Sequence, residues 1–274
     1  MIAWEATDGV TVERVDGTAR RTLVSRILKC GHYVCVGMSF AWSPDSRSLL
    51  VAGTGKTTEG FLIVSVETGK VRGAVRSREP DSYFGVHGWS PDGSKILYTR
   101  LVMDGLDSLT LDLVIADADG GNPRVLVSYG DFVHGGAFVS WSPDSRSIAL
   151  INEGREPNLR PCSIVTVASG KIRAIPGCKP AFAAAVWSPD SQRIAIAHPR
   201  RPVSVFTLRD NSRRELARSA EILSWSLTGD LTLVDTGEAF TTGSRVYAAR
   251  NGRNPVNLLF HTTPDDSIVA IDTR

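Results

Sequence analysis

Apolar residues fall along this chain in short runs, separated by clusters of Gly, Pro, Asn, Asp and Ser. Examples are Lys95-Ile96-Leu97-Tyr98 and the segments 61–66, 111–116 and 163–167. Short apolar or alternating runs bounded by turn residues read as β-strands. No segment sustains the 3.6-residue apolar period of an amphipathic helix, so the pattern predicts an all-β chain with almost no helix.

The runs repeat. WSPDSRSLLV begins at Trp42, WSPDGSKILY at Trp89, WSPDSRSIAL at Trp141 and WSPDSQRIAI at Trp187, and WSLTGDLTLV at Trp225 keeps the frame without Pro-Asp. The tryptophans are 47, 52, 46 and 38 residues apart, a period that marks a solenoid or propeller unit. In each copy an apolar strand ends at Trp and Ser-Pro-Asp-Ser/Gly makes a tight turn. Pro presets its own φ, and Asp can bond a nearby backbone N–H. Three more strands follow, the last two joined by the turns ETGK, DADGGN, ASGK, RDNS and RNGRN. Four antiparallel strands, A to D, make a propeller blade.

The tryptophan repeats place blades at about 36–76, 84–128, 136–175, 182–217 and 220–260. Residues 1–25 supply three strands with no strand before them, and 261–274 supply one more. Together they make a sixth blade, a closure that removes exposed sheet edges. The expectation is a single six-bladed β-propeller domain over 1–274, with Met1 near a domain boundary and the tryptophans packed between blades.

WSPD-G/S followed by a strand, with DADGGNPRVLV in the second repeat, resembles the TolB-type propeller repeat, also found in the propellers of prolyl oligopeptidases. The resemblance covers nearly the whole chain. It implies the fold, and that partner proteins or peptides dock over the channel end fed by the longer loops. It does not single out a function, because propellers host scaffolds, receptors and enzymes.

Strand order puts the A–B and C–D turns at one end of the blades and the B–C and D–A loops at the other. The second group is longer and more irregular, and function concentrates on such loops. They offer His32, Tyr33, Arg78, Tyr83, His87, Asp131, His134, Lys179 and Phe182 as a candidate binding surface of aromatics and charges. His87 sits two residues before Trp89 and is expected to be a hydrogen-bonded structural histidine.

Composition changes this picture little. Hydrophobic residues make up 42% and charged residues 22%, with a formal charge of +2, so no general attraction to nucleic acid is expected. The longest apolar run, 181–187, is seven residues and too short to insert in a membrane. AGTGKTT at 52–58 fails as a phosphate loop because its first glycine would fall at Leu50. DADGGN lacks the rest of a calcium loop. No G-x-S-x-G, H-E-x-x-H or C-x-x-C pattern occurs, and the innermost strands carry one acid, Glu221. No metal or cofactor is expected.

The four cysteines form two local pairs. Cys162 and Cys178 flank a hairpin whose turn is Ser169-Gly170, and Cys30 and Cys35 lie in KCGHYVCV. A disulfide in either pair implies an oxidising compartment: periplasm, cell surface or secreted. No signal peptide follows Met1, so the signal lies outside this sequence, or the protein is cytoplasmic. The favoured reading is a monomeric, non-catalytic protein- or peptide-binding propeller module, an extracytoplasmic scaffold or sensor. The alternative is a propeller hydrolase, lyase or cyclase with its site at the channel mouth.

Overall fold

A computed structural model of the chain describes residues 1–6, 9–14, 16–25, 38–53, 59–76, 83–104, 108–129, 137–152, 162–178, 185–198, 201–216, 222–235, 245–249 and 256–261. No helix occurs among them, and every sheet pairing is antiparallel. The residues group into two compact units, Met1–Val133 and His134–Arg274.

The first unit holds three sheets. The first is β1 (Ile2–Ala6), β2 (Gly9–Glu13) and β3 (Arg21–Ser25); the second is β4 (Met38–Trp42), β5 (Ser48–Gly53), β6 (Glu59–Ser65) and β7 (Val71–Arg76). The third is β8 (Tyr83–Trp89), β9 (Lys95–Asp104), β10 (Ser108–Asp117) and β11 (Arg124–Tyr129). The second unit repeats the plan three times. Its sheets are β12 (Ala137–Trp141) to β15 (Ile172–Ala174), with β13 (Ser147–Asn152) and β14 (Cys162–Thr166) between; β16 (Ala185–Trp187), β17 (Arg193–His198), β18 (Arg201–Thr207) and β19 (Ser212–Glu215); and β20 (Ile222–Trp225), β21 (Leu231–Asp235), β22 (Arg245–Ala249) and β23 (Val256–His261). Strands fall where the repeat predicts them. The closing strand expected in 261–274 lies outside the described residues beyond His261.

Sheets within each unit pack face to face. β5 is buried on both sides, which explains why it reads as a continuous apolar run rather than an alternating one. Leu49 and Val51 face Val10, Val12 and Leu23 of the first sheet, while Leu50 and Ala52 face Ile96, Tyr98 and Val114 of the third. In the second unit, Ile164 and Ile151 meet Ile194, Ile196 and Phe206, and Val203 and Val205 meet Leu231 and Leu233. Trp187 and Trp225 join successive sheets, as expected. Trp187 Nε1 donates to the Ser140 carbonyl and Trp225 Nε1 to the Val186 carbonyl, each at 3.3 Å. The Arg193 guanidinium lies 4.8 Å from the Trp225 ring centroid, a cation–π contact.

The WSPD turn is a closed hydrogen-bond system. The Ser43 hydroxyl accepts the Ser48 N–H at 2.9 Å and donates to Asp45 Oδ1 at 2.6 Å, which also accepts the Arg47 N–H at 3.0 Å. The same bonds recur around Ser90–Asp92, Ser142–Asp144 and Ser188–Asp190. All four serines are buried, so their hydroxyls need both partners, and removing one costs about 1–3 kcal/mol. At Trp225 the turn is one residue shorter. There Ser226 N–H bonds the Asp230 carbonyl, and its hydroxyl meets Thr228 in place of a carboxylate.

Cys162 and Cys178 form a disulfide, with Cα atoms 5.9 Å apart. The route differs from the expected direct opposition. β14 and β15 pair Ser163 with Ala174, which sets Ile175, not Cys178, beside Cys162. The Pro176-Gly177 turn, with Gly177 at φ 71°, brings Cys178 back to it. The proposed Cys30–Cys35 pair lies outside the described residues.

The turn makes one direct prediction. Its fourth residue has positive φ throughout: 58° at Ser46, 73° at Gly93, 61° at Ser145 and 57° at Ser191. Left-handed backbone strains a side chain and suits glycine. Exposed Ser46 is therefore expected to stabilise the chain by roughly 0.5–1 kcal/mol when changed to Gly, measured by urea unfolding. A destabilised Ser46→Gly would show that the hydroxyl, not the backbone, matters there.

Candidate functional site

Of the candidate loop residues, His32, Tyr33, Arg78, Asp131, His134, Lys179 and Phe182 lie outside the described residues. Tyr83 opens β8, its backbone opposite Leu101. His87 lies in the same strand, at a β-bulge: Val86 faces Tyr98 and Gly88 faces Leu97, leaving His87 as the extra residue. Gly88 has φ +99°, a conformation that only glycine adopts easily and that lets the bulge form.

The bulge changes the expected role of His87. Its Nε2 is sealed from solvent and finds no hydrogen-bond partner among the described residues, so the hydrogen-bonded structural role is not what the structure shows. Burial pushes the imidazole down to about 4, so His87 is neutral at physiological pH.

A cavity of about 440 Å³ opens at the other end of the strands, between the second and third sheets of the first unit. The A–B turns contribute Asp45 and Asp92, the C–D turn after β10 contributes Asp119, and β7 contributes Arg72, over a floor that includes Ile63 and Trp89. The sheets approach closely beside it. A Cβ on Gly73 would lie 2.5 Å from the Asp119 carbonyl oxygen, so only glycine fits. The Ser43 hydroxyl, and then the Arg47 N–H, hold Asp45 below the usual carboxylate range. The Ser90 hydroxyl and the Ser94 N–H do the same for Asp92. Both are therefore anionic at neutral pH.

No protein-family model matches the chain. Dipeptidyl-peptidase 5 of Porphyromonas gingivalis is 28% identical over 144 residues, a match spanning 50% of this chain and 20% of that peptidase. The oligogalacturonate lyase of Vibrio parahaemolyticus superposes with a TM-score of 0.62 at 13% identity, over 92% of this chain and 71% of the lyase. TolB from Acinetobacter baumannii superposes with a TM-score of 0.50 at 16% identity, over 97% of this chain and 69% of TolB. The chain has a TolB-like β-propeller fold. Known proteins of this fold include both TolB and enzymes, so the fold alone leaves the role open.

In this TolB-like propeller the short, stereotyped turns of the WSPD repeat carry little sequence sign of a site. The signal for the cavity was a single letter. Gly93 stands where the other three WSPD turns carry Ser46, Ser145 and Ser191.

The depressed histidine fixes a pH dependence. The unfolded chain takes up a proton at His87 near pH 6.5 and the folded chain only near 4. The His87 contribution is therefore complete above pH 6.5 and declines as pH falls toward 4, by about 3 kcal/mol in all. Urea unfolding between pH 7 and 4 is expected to show this loss, and His87→Phe to flatten it. An unchanged acid limb in the variant would refute the assignment.

Proposed function

We propose that this propeller is a non-catalytic protein- or peptide-binding module that works outside the cytoplasm and meets its partner through the B–C and D–A loops. The observation that carries the reading is the chemistry of the first strand of each repeat. Over β4, β8, β12, β16 and β20, no Asp, Glu, Lys, Arg or Cys occurs, and the one histidine, His87, is neutral with its Nε2 sealed from solvent. Among the described residues no three His, Cys, Asp or Glu side chains gather in a way that could hold a metal. Enzymes of acid–base or metal chemistry need such convergence.

The likeness to TolB supports a binding role, and the Cys162–Cys178 disulfide supports an oxidising compartment. The likeness to an oligogalacturonate lyase and to a dipeptidyl-peptidase favours the enzymatic alternative, a lyase or hydrolase using the same loops.

Peptides selected from a displayed random library on the purified chain test the reading. Arg78→Ala with Lys179→Ala, and separately Tyr83→Ala, are expected to weaken the selected peptides about tenfold or more. Selected peptides that ignore all three changes, or turnover of oligogalacturonate or a dipeptidyl substrate, would overturn it.

A further inference from the structure

The repeats allow one cleft to be compared with its counterpart. In the second unit, the sheets β12–β15 and β16–β19 are joined across the turn face through two side chains, Arg173 and Ser191. Arg173 of β15 donates to the Leu208 carbonyl at 2.9 Å and to Asn211 Oδ1 at 3.0 Å. The Ser191 hydroxyl accepts the Asp144 N–H at 3.1 Å, joining one WSPD turn to the next. The first unit has the same arginine bond between its first two sheets, from Arg21 to the Glu67 carbonyl.

Between β4–β7 and β8–β11 neither bond is made. Arg72 occupies the Arg173 position, as TGKVR against SGKIR shows, yet it donates no hydrogen bond among the described residues. Gly93 occupies the Ser191 position and has no hydroxyl for the Asp45 N–H. The cavity lies where these bonds are missing. Its lining carries the carboxylates of Asp45, Asp92 and Asp119 against the one guanidinium of Arg72. The bonds of Asp45 and Asp119 go to Oδ1, and their Oδ2 atoms accept nothing among the described residues.

We propose that this cleft is a second binding site, which takes a single basic side chain, arginine or lysine, from a partner polypeptide. The ammonium or guanidinium group meets the free Oδ2 atoms of Asp45 and Asp119, and its methylene stem lies along Ile63, Pro44 and Trp89. Charge complementarity selects a cation over an anion, because the lining carries a net negative charge before anything binds. The cleft is at the opposite end of the strands from the B–C and D–A loops, so it stands or falls independently of the loop-face reading.

The test uses Nα-acetyl-arginine amide, with the isosteric, uncharged Nα-acetyl-citrulline amide as control, followed by NMR of the whole chain. Saturable shifts are expected at the Trp89 indole N–H and the Gly93 amide with the arginine probe and not with citrulline. Asp119→Asn keeps the Oδ1 acceptor for Gly121 N–H and removes the charge, so it is expected to weaken the probe up to about fivefold. Gly93→Ser places a hydroxyl where Ser191 has one, at a positive φ that serine already adopts in three other turns, and is expected to close the cleft and abolish the shifts. Asp119→Asn should unfold at the parent's midpoint, and Gly93→Ser should remain folded with a midpoint slightly below it, because its left-handed backbone suits glycine. Equal shifts from citrulline, shifts that map away from Trp89 and Gly93, or full binding by folded Gly93→Ser would overturn the proposal.

Discussion

Each intact WSPD turn hangs on a buried serine hydroxyl used in both directions. It accepts the first amide of the second strand and donates to an aspartate two residues on. A buried hydroxyl with one partner missing would cost more than the turn gains from its remaining bonds, so Ser and Asp act as a unit. The pair sets where the first strand ends and the second begins. That fixes the register Trp42↔Leu49, Trp89↔Ile96, Trp141↔Ile148 and Trp187↔Ile194, and with it the face on which each apolar side chain lands.

Once register is fixed, sheet-to-sheet contact follows from the same residues. Tryptophans at the end of β16 and β20 reach back to carbonyls of the preceding sheet, and arginines of β3 and β15 reach forward to the next C–D turn. The repeat thus encodes strands and also the bonds between them. Where a copy changes, the bond changes with it. After Trp225 the turn loses one residue and Thr228 stands in for the aspartate, and Gly93 in place of Ser leaves a cleft unjoined. Variation on a repeated frame is how a scaffold can acquire sites without losing its fold.

Local chemistry made the strands and turns legible, because Pro, Asp and positive-φ positions act within a few residues. The Cys162–Cys178 bond was legible as proximity but not as geometry. Hairpin symmetry about Ser169-Gly170 put the cysteines opposite one another, whereas the ladder centres elsewhere and Pro176-Gly177 supplies the return. The isolation of His87 depends on a bulge at Gly88, which a strand-period reading passes over. The cleft was legible only in part: Gly93 departs from the repeat by one letter, but Arg72 and Arg173 are the same letter in the same context, and only tertiary contacts show that one is bonded across to its neighbour and the other is not. Most of the loop-face candidates lie outside the described residues, so their convergence rests on strand order alone.

Residue-resolved hydrogen exchange tests the role of the serine–aspartate pair most directly. The amides of Arg47, Ser94, Arg146 and Gln192 sit on exposed residues and donate to an aspartate Oδ1. The turn geometry predicts that all four are protected well beyond free-peptide rates. It also predicts that Asp45→Ala releases both Arg47 and Ser48 while leaving the other three turns unchanged. Free-peptide exchange at Arg47 in the parent chain, or a Ser48 amide indifferent to Asp45→Ala, would contradict it.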